Sequence, residues 1–250
     1  MPPARRSAPR RAVPALVAAW LLAGCGAGPE PAPPTGIDEL QIPTASPDPA
    51  DFVAEIDNPY LPLRPGSRWV YESQGEDPET ITVTVMDETR VVAGVTTTVV
   101  SDVVTDADGQ VVEETLDWFA QDRDGNVWYF GEDTTEYDDR GRPDTAGSWE
   151  AGVDGAQAGL AMPARPRIGD GFRQEYAEGE AEDQATVLEV DDDRTIGLGT
   201  YADLVVTEDT TPLEPDLVEQ KYYAPGVGLI LEETVSGGTE QVELVSYTEG

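Results

Sequence analysis

The stretch QDRDGNVWYFGED contains the oxygen-bearing side chains that most resemble a metal site in this chain. Asp122, Asp124 and Asn126 lie at alternate positions, as the first ligands of a calcium-binding EF-hand loop do. That loop also needs a glycine at position six and a bidentate glutamate at position twelve, where this chain has Val127 and Asp133. An Asp-x-Asp-Gly segment between β-rich segments is typical of a hairpin turn. We interpret the stretch as a turn, and Asp122, Asp124 and Asn126 remain the candidate ligands of a surface calcium site.

The residue types that the chain lacks exclude several classes of catalytic mechanism. The chain has no histidine and a single cysteine, Cys25. Ser-His-Asp hydrolysis, imidazole zinc sites and structural disulfides within the chain are therefore excluded. Fifty acidic residues always include a pair that could act as acid and base, but no local motif marks one. We expect no catalytic residue and no cofactor, and a carboxylate-dependent hydrolase is the third-ranked alternative.

The N-terminal segment has the layout of an export signal. MPPARRSAPRR carries four arginines and no acid, and the apolar stretch AVPALVAAWLLAG follows it. LAGC, at positions 22–25, resembles the lipobox of bacterial lipoproteins, in which the cysteine is lipidated and becomes the new N-terminus. The resemblance implies a signal peptide at 1–24, a lipid anchor on Cys25 and an extracytoplasmic location. An ordinary signal peptide with a chance cysteine is the alternative.

The charge of the chain restricts its partners. Removal of residues 1–24 takes four of the fifteen basic residues and no acid, which leaves eleven basic residues against fifty acids and a formal charge of −39. Such a surface repels nucleic acid, because each phosphate contact needs a cation. The membrane is therefore expected to be reached through the lipid anchor, and other partners should be cationic or neutral. The alternative is that the charge only keeps an exported protein soluble.

The chain is predicted to comprise a tether and one β domain. Residues 25–50 are rich in proline and small residues, which is typical of a semi-extended tether. Residues 51–250 show alternating apolar and polar positions and turn signals, which predict a mainly β fold. The one exception is 154–164, DGAQAGLAMPA, which could form a short helix that ends before its proline.

An internal repeat organises this β domain. The segments 66–133 and 169–235 show the same order of aromatic strand, hairpin, aromatic pair and tight turn, with 134–168 as the connector. Trp118 and Tyr222 lie at equivalent positions of the two segments. This pattern predicts two antiparallel meanders that form a curved sheet, an open barrel or a sandwich.

Two stretches resemble a known group of proteins. NPYLPLRPGSRWVYE and KYYAPGVGLILEE are similar to segments of uncharacterised secreted lipoproteins of high-GC bacteria. That family implies no activity and no catalytic residues. A curved sheet behind a lipobox also resembles the open-barrel lipoprotein carriers of the cell envelope, at the level of architecture only.

Aromatic residues supply the candidate binding site. Neighbours in a strand point to opposite faces, so one member of each adjacent aromatic pair faces the core and the other faces a second surface. The second surface is either ordinary packing or a concave apolar site, and for the latter the candidate lining residues are Trp118, Trp128, Tyr222 and Met162. We therefore expect a non-enzymatic envelope protein that binds an apolar or aromatic ligand or an envelope partner. The alternative is a calcium-binding or structural surface lipoprotein.

Overall fold

The computed structural model describes residues 36–75, 78–138 and 140–250. Within this part of the chain the fold is almost entirely antiparallel β, as the sequence predicts. The predicted signal peptide 1–24 and the predicted lipidation site Cys25 lie outside the described residues. Residues Pro34–Gly250 form one compact unit.

Sixteen strands and one 3-10 turn make up the described secondary structure. The 3-10 turn covers Pro49–Asp51 and is the only helical element among the described residues. The strands are β1 Phe52–Val53, β2 Arg68–Gln74, β3 Thr80–Val92, β4 Val95–Thr105, β5 Val111–Asp122, β6 Val127–Tyr137, β7 Pro143–Asp144, β8 Trp149–Glu150, β9 Gln157–Met162, β10 Gly171–Arg173, β11 Glu175–Tyr176, β12 Gln184–Ile196, β13 Gly199–Thr210, β14 Val218–Ala224, β15 Gly228–Ser236 and β16 Gln241–Thr248.

The strand order follows the two predicted repeats. Strands β2 to β6 are sequential neighbours in the first, and β10, β12, β13, β14 and β15 follow the same succession in the second. The β3–β4 hairpin closes at the pair Val92 and Val95, and the β12–β13 hairpin closes at Ile196 and Gly199, which lie 104 residues further along. Strand β16 joins the two meanders by pairing with β15 and β2. Duplication of one ancestral unit stays a prediction.

The junction of the two meanders relies on side chains as well as on the ladder. Only three residue pairs connect β15 and β16. Beyond them, the Trp69 indole donates to the carbonyl of Val227 at 2.7 Å, and the Tyr71 hydroxyl donates to the carbonyl of Leu229 at 3.0 Å. Both aromatic side chains are buried. These two bonds satisfy carbonyls that the short ladder leaves unpaired.

The two ends of the sheet meet at one segment, residues 171–176. Strand β10 pairs with β12 at one end, and β11 pairs with β9 at the other, with Gln174 between them. The ladder is not closed into a barrel, but the sheet must curl until both ends reach this segment. We call residues 171–176 and their β9 partners the seam. The curled sheet has an inner face and an outer face.

The connector and the end of the tether are both part of the sheet region. The sequence allows a short helix at residues 157–162, but these residues form β9 instead. The small residues of β9 fit between β6 and residues 171–176. Residues assigned to the tether also contact the fold, since Thr44 exchanges backbone hydrogen bonds with Ala158 at 2.8 and 3.0 Å. Ile37 and Leu40 pack against the core. The folded contacts therefore begin before residue 51.

Glycine is required at the seam. A Cβ on Gly159 would overlap the backbone carbonyl of Gln174, whereas a Cβ on Gly171 would make only ordinary contacts. We expect Gly159→Ala to force the seam apart and to lower the free energy of unfolding by about 2 kcal/mol or more. Gly171→Ala is the matched control and should change it by less than about 1 kcal/mol. Chemical denaturation measures both, and equal stabilities of the two variants would contradict the close approach.

Candidate functional site

The acidic stretch at the end of β5 is a hairpin turn in which the Asp122 carboxylate accepts four hydrogen bonds. The Asp122 Oδ1 atom accepts from the backbone N–H of Asp124 at 3.0 Å and of Asn126 at 2.9 Å. Its Oδ2 atom accepts from the Asn126 amide at 2.8 Å and from the Trp128 indole at 2.9 Å. Gly125 has φ +95°, the left-handed conformation that the turn needs. The Asp122 carboxylate therefore organises the hairpin, and each of its two oxygens already accepts two hydrogen bonds.

The four aromatic and methionine candidates lie in the core. Trp118, Trp128, Tyr222 and Met162 are all at most 5% exposed. Trp128 alone also borders a cleft, of about 510 Å³, beside the Asp122 turn. The Arg90 guanidinium covers the Trp118 ring at 3.9 Å, and the Arg194 guanidinium covers the Tyr222 ring at 4.4 Å. The structure thus does not bring the four together in one open pocket.

A larger cleft opens where β4 and β6 end and β5 begins. Its volume is about 770 Å³, and its walls combine carboxylates with apolar side chains, namely Glu79, Val104, Val112, Glu113, Glu136, Tyr137, Asp138, Arg142, Pro143 and Asp144. Val104 and Glu113 belong to the inner face of the sheet. Since alternate residues of a strand share a face, Asp102 and Asp117 lie deeper on that same face.

Four carboxylates gather on the inner face, and we call them the acidic cluster: Asp102, Asp117, Glu132 and Glu175. Asp117 pairs directly with Glu132 across β5 and β6, and Asp102 lies on the neighbouring strand β4. Glu175 reaches them from the seam. Apolar side chains of β3 and β4, including Ile81, Val83 and Val104, are half-buried on the same face. The inner face therefore offers an apolar side beside an acidic side.

A β-bulge aims Glu132 at the cluster. Between the pairs Asp117–Glu132 and Phe119–Tyr129, β5 advances two residues while β6 advances three. The extra residue places Tyr129 and Glu132 on one face, although residues three apart in a regular strand face opposite sides. Gly131 makes the bulge possible, because its φ is +127° and a Cβ there would overlap the carbonyl of Trp149.

Tyr129 connects the carboxylates. Its hydroxyl lies 2.6 Å from Asp117 Oδ1 and 3.1 Å from Glu132 Oε2. One hydroxyl proton can serve only one of these acceptors, so the arrangement is complete when one carboxyl group is protonated and donates. The Tyr129 ring stacks on Phe119 at 4.6 Å and meets Trp149 edge-on at 5.4 Å. The Trp149 indole in turn donates to Glu175 Oε2 at 3.1 Å.

Burial makes these acids weak. Desolvation raises the pKa of Asp102 to about 7, and neighbouring Glu113 and Glu132 oppose its ionisation further. Desolvation also raises the pKa of Asp117 and of Glu132 to about 7, although hydrogen bonds from Tyr129 act in the opposite direction. Burial raises the pKa of Glu175 well above its ordinary value. The cluster therefore holds protons at a pH where surface carboxylates have lost theirs.

The chain provides few positive charges for this face. Lys221 is the cation that faces the acids, and it lies 3.5 Å from Asp209 and 3.6 Å from Glu232. The charge of Glu232 raises the pKa of Lys221, so the lysine stays protonated. One ammonium cannot neutralise the four carboxylates of the cluster as well. Protons or a positively charged ligand can neutralise these carboxylates.

The site offers hydrogen-bonding groups and negative charge. Among residues 36–75, 78–138 and 140–250, no group of three or more acidic, histidine or cysteine side chains has the geometry to hold a metal ion. An organic cation does not need metal-ligand geometry, because its charge is diffuse and its apolar part makes non-directional contacts. Aromatic rings such as the stacked Phe119 and Tyr129 are of the type that contacts organic cations.

Comparisons with known proteins identify structural neighbours only. No family model and no curated protein matches the chain. Two solved structures are similar: a Bacteroides fragilis protein described as exported, with a YmcC-like fold, and a Parabacteroides distasonis protein described as a lipoprotein. Each is 13% identical with a TM-score of 0.45, over 76% of this chain and 99% and 98% of the respective neighbour. Similarity at this level carries no information about a ligand. No helix in the described part of the chain is long and apolar enough to cross a membrane.

The raised pKa of Glu132 makes stability depend on pH. A carboxyl group whose pKa is higher in the folded protein than in the unfolded chain stabilises the fold at low pH, and this contribution is lost as the pH rises through about 7. Glu132→Gln removes the buried charge. We expect the variant to melt at a higher temperature than the wild type at pH 8.5, by several degrees, and at a similar temperature at pH 5.

The control for this experiment is Asp133→Asn, which removes an exposed acid next to Glu132 on β6. It should shift the melting temperature little at either pH, because exposed charges contribute little to stability. The same melting temperature for wild type and Glu132→Gln at pH 8.5 would show that Glu132 carries no buried charge.

Proposed function

We propose that the protein is an extracytoplasmic lipoprotein that is anchored to the membrane through a lipid on Cys25 and binds a small organic cation with an apolar body. The binding site is the cleft at the ends of β4, β5 and β6, together with the inner face beneath it. The protein is not an enzyme in this proposal. Its role is to hold a ligand close to the membrane surface.

The observation that carries the ligand class is the composition of the inner face. Half-buried Ile81, Val83 and Val104 lie beside the acidic cluster, so one ligand could contact both an apolar wall and carboxylates. The cleft above contains one arginine, Arg142, and its Nε atom already donates to Asp138 at 2.7 Å. A cationic head group would replace the protons of the cluster, and the apolar part would cover the valine and isoleucine side chains.

The sequence supports the anchoring part of the proposal. The charged segment, the apolar segment and LAGC occur in the order of a lipoprotein signal. Because Ile37 and Leu40 already pack on the domain, the free tether would be about eleven residues long and would span roughly 30 Å when extended. The two acyl chains of a diacylglyceryl group are enough for stable anchoring.

Inorganic cation binding is the second candidate. The formal charge, −35 for the full chain and −39 without residues 1–24, favours the attraction of any cation, but the described residues form no metal cluster and the Asp122 carboxylate already accepts four hydrogen bonds. An organic cation fits better, because aromatic and aliphatic side chains lie next to the carboxylates.

Native mass spectrometry of the full chain, extracted from membranes in mild detergent, tests both parts. We expect a covalent mass increase on Cys25 that corresponds to lipidation, and a non-covalent adduct of an amine. After removal of the adduct, a long-chain alkyltrimethylammonium ion should bind with a Kd below about 100 μM, while a neutral alcohol of the same chain length should bind at least tenfold more weakly.

Two variants separate the parts of the proposal. Cys25→Ser should lose the lipid mass and membrane association, yet retain binding of the ammonium ion. Glu132→Gln with Asp117→Asn should retain the lipid and lose the preference for the ammonium ion over the alcohol. A processed Cys25→Ser protein in the membrane fraction would contradict the anchor, and equal binding of ammonium and alcohol to the wild type would contradict the cationic ligand.

A further inference from the structure

The seam is the shortest ladder along the main strand order of the sheet, from β10 through β16 and β2 to β11. Strand β11 pairs with β9 through only two residue pairs, Glu175 with Ala158 and Tyr176 with Gln157. The backbone N–H groups of Gln174 and Glu175 both turn away to the carbonyl of Asp183, at 2.8 and 3.2 Å. A short ladder of this kind opens at a lower free energy than the long hairpins of the sheet.

Side chains hold the seam where the ladder is short. Glu175 Oε2 accepts from the Trp149 indole at 3.1 Å, and the Gln174 amide donates to Asp209 Oδ2 at 3.1 Å. Trp149 is itself fixed by the edge-on contact with Tyr129 and by pairing of β8 with β6. Glu175 thus connects the seam strand to the acidic cluster through Trp149 and Tyr129.

The charged and titratable groups around Glu175 come from four directions. Asp117 faces it from β5, Tyr129 and Glu132 face it from β6, and Asp183 faces it from the segment before β12. Lys221 on β14 is the one cation among them. That lysine also contacts Asp209 and Glu232, so its charge is shared. Full ionisation would place four carboxylates around one shared ammonium.

We propose that the seam is a pH-controlled opening of the sheet: it is closed when the carboxyl groups around Glu175 are protonated, and it separates at β9 and β11 when they ionise. The separation gives solvent and small molecules a lateral route to the inner face. This inference goes beyond the proposed function and does not depend on the identity of a ligand.

The burial of the acids determines that the seam opens as the pH rises. Desolvation raises the pKa of Asp117 and Glu132 to about 7 and that of Glu175 well above its ordinary range. At pH 5.5 Asp117 and Glu132 are neutral, and the hydrogen bonds through Tyr129 and Trp149 close the seam. As the pH rises through 7 toward 8.5, charges appear on these poorly solvated carboxyl groups, and separation of the two-pair ladder between β9 and β11 relieves the repulsion.

Hydrogen exchange measured by mass spectrometry on the full chain tests this inference. Protection factors, corrected for the intrinsic pH dependence of exchange, are compared at pH 5.5 and 8.5. We expect peptides that cover 157–162 and 171–176 to lose protection at least tenfold at pH 8.5. Peptides from the β3–β4 hairpin should change less than twofold.

The double variant Glu132→Gln with Glu175→Gln should keep the seam equally protected at both pH values, since glutamine is of similar size and can still accept from Trp149. If this variant does not fold, Asp117→Asn is used instead and should at least halve the loss of protection on a logarithmic scale. Asp133→Asn is the control and should behave as the wild type does. Equal seam protection at both pH values in the wild type, loss of protection throughout the sheet, or an unchanged loss in the charge-removing variant would each overturn the proposal.

Discussion

Carboxylates on the inner face of the sheet have too few cations to pair with, and this imbalance governs the rest of the structure. Asp102, Asp117, Glu132 and Glu175 share a poorly solvated surface with a single lysine, Lys221, which already contacts two other acids. Buried charges without partners are among the most expensive features a fold can have. Protons relieve this imbalance, and our two proposals add a cationic ligand and an opening of the sheet as further ways to relieve it.

Much of the fold could be predicted from the sequence, because its signals are local. Alternating apolar residues predict strands, and the hairpin turn predicted at the Asp-x-Asp-Gly segment forms, with Gly125 in the left-handed conformation at φ +95°. The matching strand order of the two segments follows the repeat in the sequence. The short helix that the sequence allows at 154–164 does not form, because small residues there satisfy a tertiary requirement: Gly159 allows the carbonyl of Gln174 to approach.

The candidate site could not be predicted in the same way. Its acids come from four strands, and no motif brings Asp102 and Glu175 together in the sequence. Glu132 faces inward only because a bulge at Gly131 shifts its register, and a bulge is not visible in an alternating pattern. The aromatic residues that are conspicuous in the sequence, Trp118 and Tyr222, are largely buried, whereas Tyr129, which connects the acids, lies within the stretch that first suggested a metal site. The one signal in the sequence that could have indicated the acidic cluster was an acid opposite another acid on neighbouring β segments.

The central claim is that carboxyl groups of the inner face hold protons at neutral pH. A carbon-13 NMR titration of the carboxyl groups, with resonances assigned through single amide variants, measures this most directly. The expected result is that Asp102, Asp117 and Glu132 titrate with midpoints near pH 7. Midpoints below pH 5 for all three inner-face groups would contradict the claim, because the acids would then be ionised and solvated in the folded protein.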